Sequence, residues 1–297
     1  MIERRAFGKT GVEVSVLGFG GSEIGFLDAP QEAVDRILGA ALDHGINVID
    51  TAECYRDSEA KIGKAIAHRR DEYFLFTKCG HNSGLEEFED WDPRLLKASI
   101  DRSLRLLQTD CVDLVQLHTC SADLLAQGDV IDVLRRAREA GKTRWIGFSG
   151  DGEDAVAAIR TGAFDTLQTS VNFADQQCID LTLPLAKEAG LGVIAKRPVA
   201  NAAWRYAEEP VGMYAHVYWQ RLQELQYPFL NDPVEAFRAA LQFTLAQDVH
   251  TAIVGTQNPE RISSNVAESS RPIDQVRIAG IRARWAEIAR PDWVGQT

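Results

Sequence analysis

The chain has 297 residues, of which 45% are hydrophobic and 25% charged, proportions that exclude a disordered or fibrous protein. Its formal net charge of -11 at pH 7 excludes nucleic acid and anionic membrane surfaces as main partners, since both select clustered Lys and Arg. A single α/β barrel of roughly 250 residues fits this length, so residues 1–297 read as one domain.

In chain order, Arg5 to Val14 comes first, with Lys9-Thr10-Gly11 between two short extended runs, and reads as a β-hairpin ahead of the main fold. Eight β-rich apolar runs follow: Ser15 to Gly20, Asn47 to Asp50, Tyr73 to Lys78, Asp113 to His118, Trp145 to Ser149, Thr166 to Asn172, Gly192 to Lys196 and Thr251 to Gly255. Helical patterns lie between them, among them Gln31 to His44, Ser58 to His68, Pro93 to Leu107, Ile131 to Ala140 and Pro233 to Gln247. Gly45, Gly141 and Gly190 are placed as left-handed caps. Such alternation predicts parallel βαβ units.

An open doubly wound sheet and a closed (β/α)8 TIM barrel both accommodate this order. The polar residues decide for the barrel. Asp50, Lys78, His118, Ser149 and Asn172 each stand at the carboxyl end of a different predicted strand, where a barrel converges its functional groups. The hairpin then plugs the opposite end. The longest connection, Pro198 to about Asp232, holds Tyr206, Tyr214, Tyr218, Tyr227, Trp204 and Trp219, and reads as a substrate-facing lid. The plainer alternative is a surface helix over Gly212 to Gln226 packed on the barrel side or against a second subunit.

No stretch approaches the roughly 18 apolar residues of a membrane span, and the first twenty residues have no secretory pattern. The five cysteines, Cys54, Cys79, Cys111, Cys120 and Cys178, are odd in number and form no CxxC pair, so neither a disulfide framework nor a metal site is read from their spacing. A reducing cytoplasm is the expected location. The oligomeric state is not legible.

Reducing a carbonyl needs a hydride on carbon and a proton on oxygen, hence a cofactor surface and a weak acid aimed at one point. A tyrosine is protonated at pH 7 but donates poorly until an ammonium lowers its pKa. Tyr55 with Lys78 and Asp50 supplies an acid, an ammonium and a carboxylate to hold it, and His118 supplies a hydrogen bond for the substrate oxygen. Each has a plainer reading: a structural ion pair, a loop aromatic, a core histidine. Convergence of all four at strand ends is the signal.

The runs Asp50-Thr51-Ala52-Glu53-Cys54-Tyr55, Phe76-Thr77-Lys78, Leu114-Val115-Gln116-Leu117-His118 and Gly141-Lys142-Thr143-Arg144-Trp145-Ile146-Gly147-Phe148-Ser149 closely resemble the aldo-keto reductase superfamily, in order and over nearly the whole chain. The resemblance implies a small-molecule carbonyl substrate (aldehyde, ketone or sugar-like), NADPH or NADH as cofactor, Tyr55 as general acid, Asp50 and Lys78 as its tuners and His118 as the oxygen ligand. It implies that Gly20, Gly21, Asp50, Ser149 and Gln168 hold the nicotinamide end. Gly255, Thr256, Gln257, Arg261 and Asn265 would grip the adenosine phosphate, Arg261 reading the 2′-phosphate and Asn265 the adenine.

Two positions depart from the family pattern. Gly150 stands where an asparagine contacts the carboxamide, and Lys196-Arg197 stands where an aromatic stacks on the nicotinamide. Arg197 stacking on the ring, or Lys196 and Arg197 gripping the pyrophosphate, would replace that contact. Two rivals are a Schiff-base aldolase using Lys78 or Lys196, and a cofactor-bound sensor with little turnover.

Overall fold

The computed structural model describes residues 2–85 and 87–296. Eight parallel strands close a barrel in sequence order: β1 (Leu17–Gly20), β2 (Val48–Asp50), β3 (Phe74–Cys79), β4 (Val112–His118), β5 (Thr143–Ser149), β6 (Thr166–Ser170), β7 (Gly192–Lys196) and β8 (Thr251–Val254), with β8 pairing back onto β1. All eight expected strands are present. Their edges differ for local reasons: β1 starts at Leu17 because Glu13–Ser15 pairs with the hairpin strand Arg4–Ala6, and β6 stops at Ser170 because Asn172 turns back to bridge Asp175.

Helices Gln31–Asp43, Ser58–Ile66, Pro93–Leu106, Asp129–Glu139 and Pro233–Leu245 surround the barrel. Asp92 and Asp232 cap two of them by accepting backbone N–H bonds, each followed by proline at the first helical position. The caps expected at Gly45, Gly141 and Gly190 all have positive φ.

The hairpin carries Phe7 to the amino end of the barrel, where its ring stacks on Phe76 at a centroid distance of 5.7 Å. Val14, Val48, Leu114, Trp145 and Ile194 complete this apolar plug. Gly192 is required there: a Cβ would lie 2.6 Å from the Phe7 ring. The predicted plug is therefore present.

The connection after β7 divides between the two expected roles. Helix His216–Leu225 packs on the barrel side, with Tyr218, Leu222, Leu225 and Tyr227 buried against Phe173, Phe243, Trp285 and Trp293. Trp204, Tyr206, Met213 and Tyr214 line a cavity at the carboxyl end. Only the first half of the segment faces the cavity.

Candidate active site

Side chains two residues apart on a strand share a face. The barrel interior therefore steps from Val48 to Asp50, Phe76 to Lys78, Leu114 to Gln116 to His118, and Ile194 to Lys196, from apolar plug to polar floor. Above that floor lies a cavity of about 1580 Å³.

Lys78 is 1% exposed and donates to Asp50 Oδ1 at 2.6 Å and to the carbonyl of Thr51 at 2.8 Å. Asp50 Oδ2 accepts from Gln168 Nε2 at 2.8 Å and Gln116 Nε2 at 3.4 Å, while Gln168 Oε1 accepts from Ser149 Oγ at 3.1 Å. Asp50, Lys78, Ser149 and Gln168 thus form one buried network. Burial alone would depress the Lys78 ammonium, but the facing Asp50 carboxylate together with Tyr55 and Cys54 outweighs it and the pKa is raised. This fixed cation leaves no free amine for Schiff-base chemistry at Lys78.

Tyr55 sits in the turn between β2 and helix Ser58–Ile66. That turn is pinned by Thr51 Oγ1 donating to Ser58 Oγ at 3.0 Å and Ser58 Oγ donating to the Gly21 carbonyl at 2.8 Å. The Lys78 ammonium lies 5.0 Å from the Tyr55 ring centroid, Phe26 packs at 5.4 Å, and the His118 ring stands edge-on at 6.0 Å. Burial raises the phenol above its ordinary value, and Lys78 lowers it only in part. The expected lowering by Lys78 is therefore one contribution and not the net result.

His118 ends β4 beside Tyr55, and its pKa lies well below 6.5, first through burial and then through the positive charges of Lys78, Lys196 and Arg197 and the nearby His81. It is a neutral imidazole at pH 7. Its Nδ1 is 3.4 Å from Cys54 Sγ, and burial pushes that thiol up to about 12. The sequence assigns no role to Cys54, Gln116 or His81; all three reach the site through partners distant in the chain, which spacing does not reveal.

Gly20, Gly21, Asp50, Gln168, Lys196, Arg197, Gly255, Thr256, Gln257, Arg261 and Asn265 all line the cavity. Ser149 stands behind Gln168. Arg261 makes no side-chain hydrogen bond or ion pair among the described residues, whereas Lys196 pairs with Asp151 Oδ2 at 2.8 Å and Arg197 Nη1 donates to Ser170 Oγ and to the Gln296 carbonyl. Lys196 at the end of β7 and Arg197 just after it are therefore already held. Gly150 has a steric reason: a Cβ would lie 2.6 Å from the Phe148 ring, so the missing asparagine has no room in this packing.

The model of the Aldo/keto reductase family matches residues 16–286. Over 98% of this chain and 97% of its own length, L-galactose dehydrogenase of Arabidopsis thaliana is 29% identical. The holo form of an aldo-keto reductase from Bacillus halodurans superposes with a TM-score of 0.82 at 27% identity, covering 96% of both chains. A Klebsiella pneumoniae aldo-keto reductase, solved in complex with NADPH, has the same fold at TM-score 0.77 and 22% identity, covering 100% of both. The chain belongs to the aldo/keto reductase family and is an oxidoreductase. No helix among the described residues is long and apolar enough to cross a membrane.

Proposed function

We propose that the chain catalyses hydride transfer between NADP(H) and the carbonyl carbon of a small sugar-like substrate, with Tyr55 handling the proton. The observation that carries this reading is the buried Asp50–Lys78 pair beneath the Tyr55 ring, facing a neutral His118 across the cavity floor.

The residues present fit the cofactor. The cavity runs from Asp50 and Gln168, whose amide and carboxylate are fixed by Lys78 and Ser149, to the uncommitted guanidinium of Arg261. Gly20, Gly21, Asp50 and Gln168, with Ser149 fixing Gln168 from behind, would hold the nicotinamide end, Lys196 and Arg197 would face the middle, and Gly255, Thr256, Gln257, Arg261 and Asn265 would hold the adenosine phosphate. When bound, the cofactor supplies the hydride. Asp50 and Asp151 neutralise Lys78 and Lys196, while Arg197 has no carboxylate partner among the described residues; its charge favours the reduced, uncharged ring over the oxidised one.

Cys54 keeps its proton and donates to His118 Nδ1, which leaves the imidazole proton on Nε2. That Nε2–H donates to the substrate oxygen; a preorganised donor of this kind contributes about 2.7 to 4 kcal/mol. As negative charge develops on the oxygen, Tyr55 delivers its proton to it, and Lys78, held by Asp50, stabilises the phenolate left behind. His81, Thr119 and Arg205 offer hydrogen bonds to substrate hydroxyls, and Trp204 and Tyr214 offer faces. The name of the full-length relative from Arabidopsis supports a sugar substrate. All five cysteines are free, as a reducing cytoplasm would keep them.

Titration of the tryptophan fluorescence with NADPH and NADH, followed by a panel of aldoses and simple aldehydes, tests the reading. Tight NADPH binding with turnover of polyhydroxylated carbonyls is expected. Binding without turnover would replace it with the sensor reading, and no binding would overturn it.

A further inference from the structure

The fold brings together three groups, two of which the reductase reading uses as a hydrogen-bonded pair and which as a trio have the chemistry of metal ligands. A carboxylate oxygen of Glu53, Cys54 Sγ and a ring nitrogen of His118 all lie within 4.8 Å of one another. Sγ and Nδ1 are already 3.4 Å apart. In a tetrahedral zinc site, bonds of about 2.3 Å to sulfur and 2.0 Å to nitrogen or oxygen place the ligand atoms about 3.3 to 3.5 Å from each other, so small movements suffice here.

Glu53 gives the second, independent observation. It is 3% exposed, and its Oε1 accepts the backbone N–H of His81 at 3.1 Å. Its Oε2 is buried with no hydrogen-bond partner. An orphaned buried acceptor costs about 1 to 3 kcal/mol and persists where something else satisfies it. Cys54 and His118 both line the cavity, so a cation among the three would keep an open coordination position toward it.

We propose that Glu53, Cys54 and His118 form a three-ligand site for a zinc-class divalent cation, and that a cation seated there inhibits the enzyme. The donor set of one sulfur, one imidazole nitrogen and one carboxylate oxygen selects zinc-class metals over magnesium or calcium, which prefer all-oxygen shells. On binding, the thiol proton and any carboxyl proton leave to solvent, and the Cys54 to His118 hydrogen bond is replaced by two metal bonds. The ammonium of Lys78 nearby opposes the cation and keeps the site reversible. The bound cation draws the imidazole toward the Tyr55 turn and offers its open position to the substrate oxygen in place of the Nε2–H donor. The binding stands by itself; the inhibition rests on the function proposed above.

The test measures Zn2+ binding to the whole chain near neutral pH by competition with a chromophoric chelator, with no cofactor present, and records the absorption of the Co2+ form. One Zn2+ per chain and a thiolate charge-transfer band with Co2+ are expected. Cys54→Ser should abolish that band, and both Cys54→Ser and Glu53→Gln should weaken Zn2+ binding by about tenfold or more. Glu53→Gln preserves the shape and the bond to His81. Lack of stoichiometric binding, absence of the thiolate band in the wild type, or unchanged affinity in both variants would overturn the site. In the activity assay, each protein's rate is normalised to its own metal-free value. Wild-type turnover should fall with Zn2+ occupancy and return with chelator, and full occupancy with undiminished turnover would overturn the inhibition. A chain that binds Zn2+ as described but reduces no carbonyl would contradict the functional reading while leaving the site intact.

Discussion

The two ends of the barrel are built from the same strands and the same inward face, yet they do opposite work. At the amino end Phe7, Val48, Phe76, Leu114, Trp145 and Ile194 form a closed apolar plug. Two residues further along, the same face turns into Asp50, Lys78, Gln116 and Lys196, tied by ion pairs and hydrogen bonds and open to a large cavity. One end stabilises through area removed from water. The other holds charges that are tolerable only because each is paired. A single turn of pleat separates a stability module from a chemical one, and substitutions at the two ends should separate in the same way.

The largest stability effect is expected at the plug. Phe7→Ala removes a fully buried ring and should cost about 3 to 5 kcal/mol in denaturant unfolding while leaving kcat/KM of the folded protein unchanged. A comparable loss of activity would mean that the two ends are mechanically coupled. At the open end, Arg261→Ala removes the uncommitted guanidinium. It should weaken NADPH by about 1.5 to 3 kcal/mol in fluorescence titration, with NADH scarcely affected and stability intact. Equal weakening of both cofactors would remove the 2′-phosphate role from Arg261.

A third effect, spread over a pH interval rather than present at one pH, arises at the site. Burial, and then the charge of Glu59, push the Glu53 carboxyl up from its ordinary 4.5 to about 8. The folded state therefore holds a proton that the unfolded state has lost over that interval, so stability is full below about 4.5 and falls as pH rises toward 8. The slope is at most about 1.4 kcal/mol per pH unit. Glu53→Gln should flatten this part of the curve, raising Tm at pH 8 more than at pH 5. An unchanged slope would show that Glu53 ionises in place.

Most of this architecture was legible in the sequence because it is periodic. The alternation of strands with helices, the polar residues Asp50, Lys78, His118 and Ser149 at the ends of their strands, and the turn glycines all follow from local chemistry, and the structure has them where expected, whereas Asn172 lies beyond β6 in a turn. What was not legible is the meeting of side chains far apart in the chain. Cys54 looks like a packing residue until β4 brings His118 to it, 64 positions away. Gln116 reads as the polar residue of an apolar strand until Asp50 is seen to face it. The aromatic segment after β7 has one composition throughout, so its split into a buried helix and a cavity wall appears only when Tyr218 and Tyr227 are found packed on Phe173 and Trp285. The sequence likewise identified Lys78 as a tuner of Tyr55 but not the desolvation that competes with it.

The central claim is that Tyr55 is the proton donor and that the network beneath it serves the proton and not the fold. Tyr55→Phe, assayed for kcat, NADPH affinity and Tm on one preparation, tests it directly. The account predicts a fall in kcat of about 10²- to 10⁴-fold with cofactor affinity and Tm essentially those of the wild type. A variant that retains its turnover, or that loses cofactor affinity in the same proportion, would contradict it.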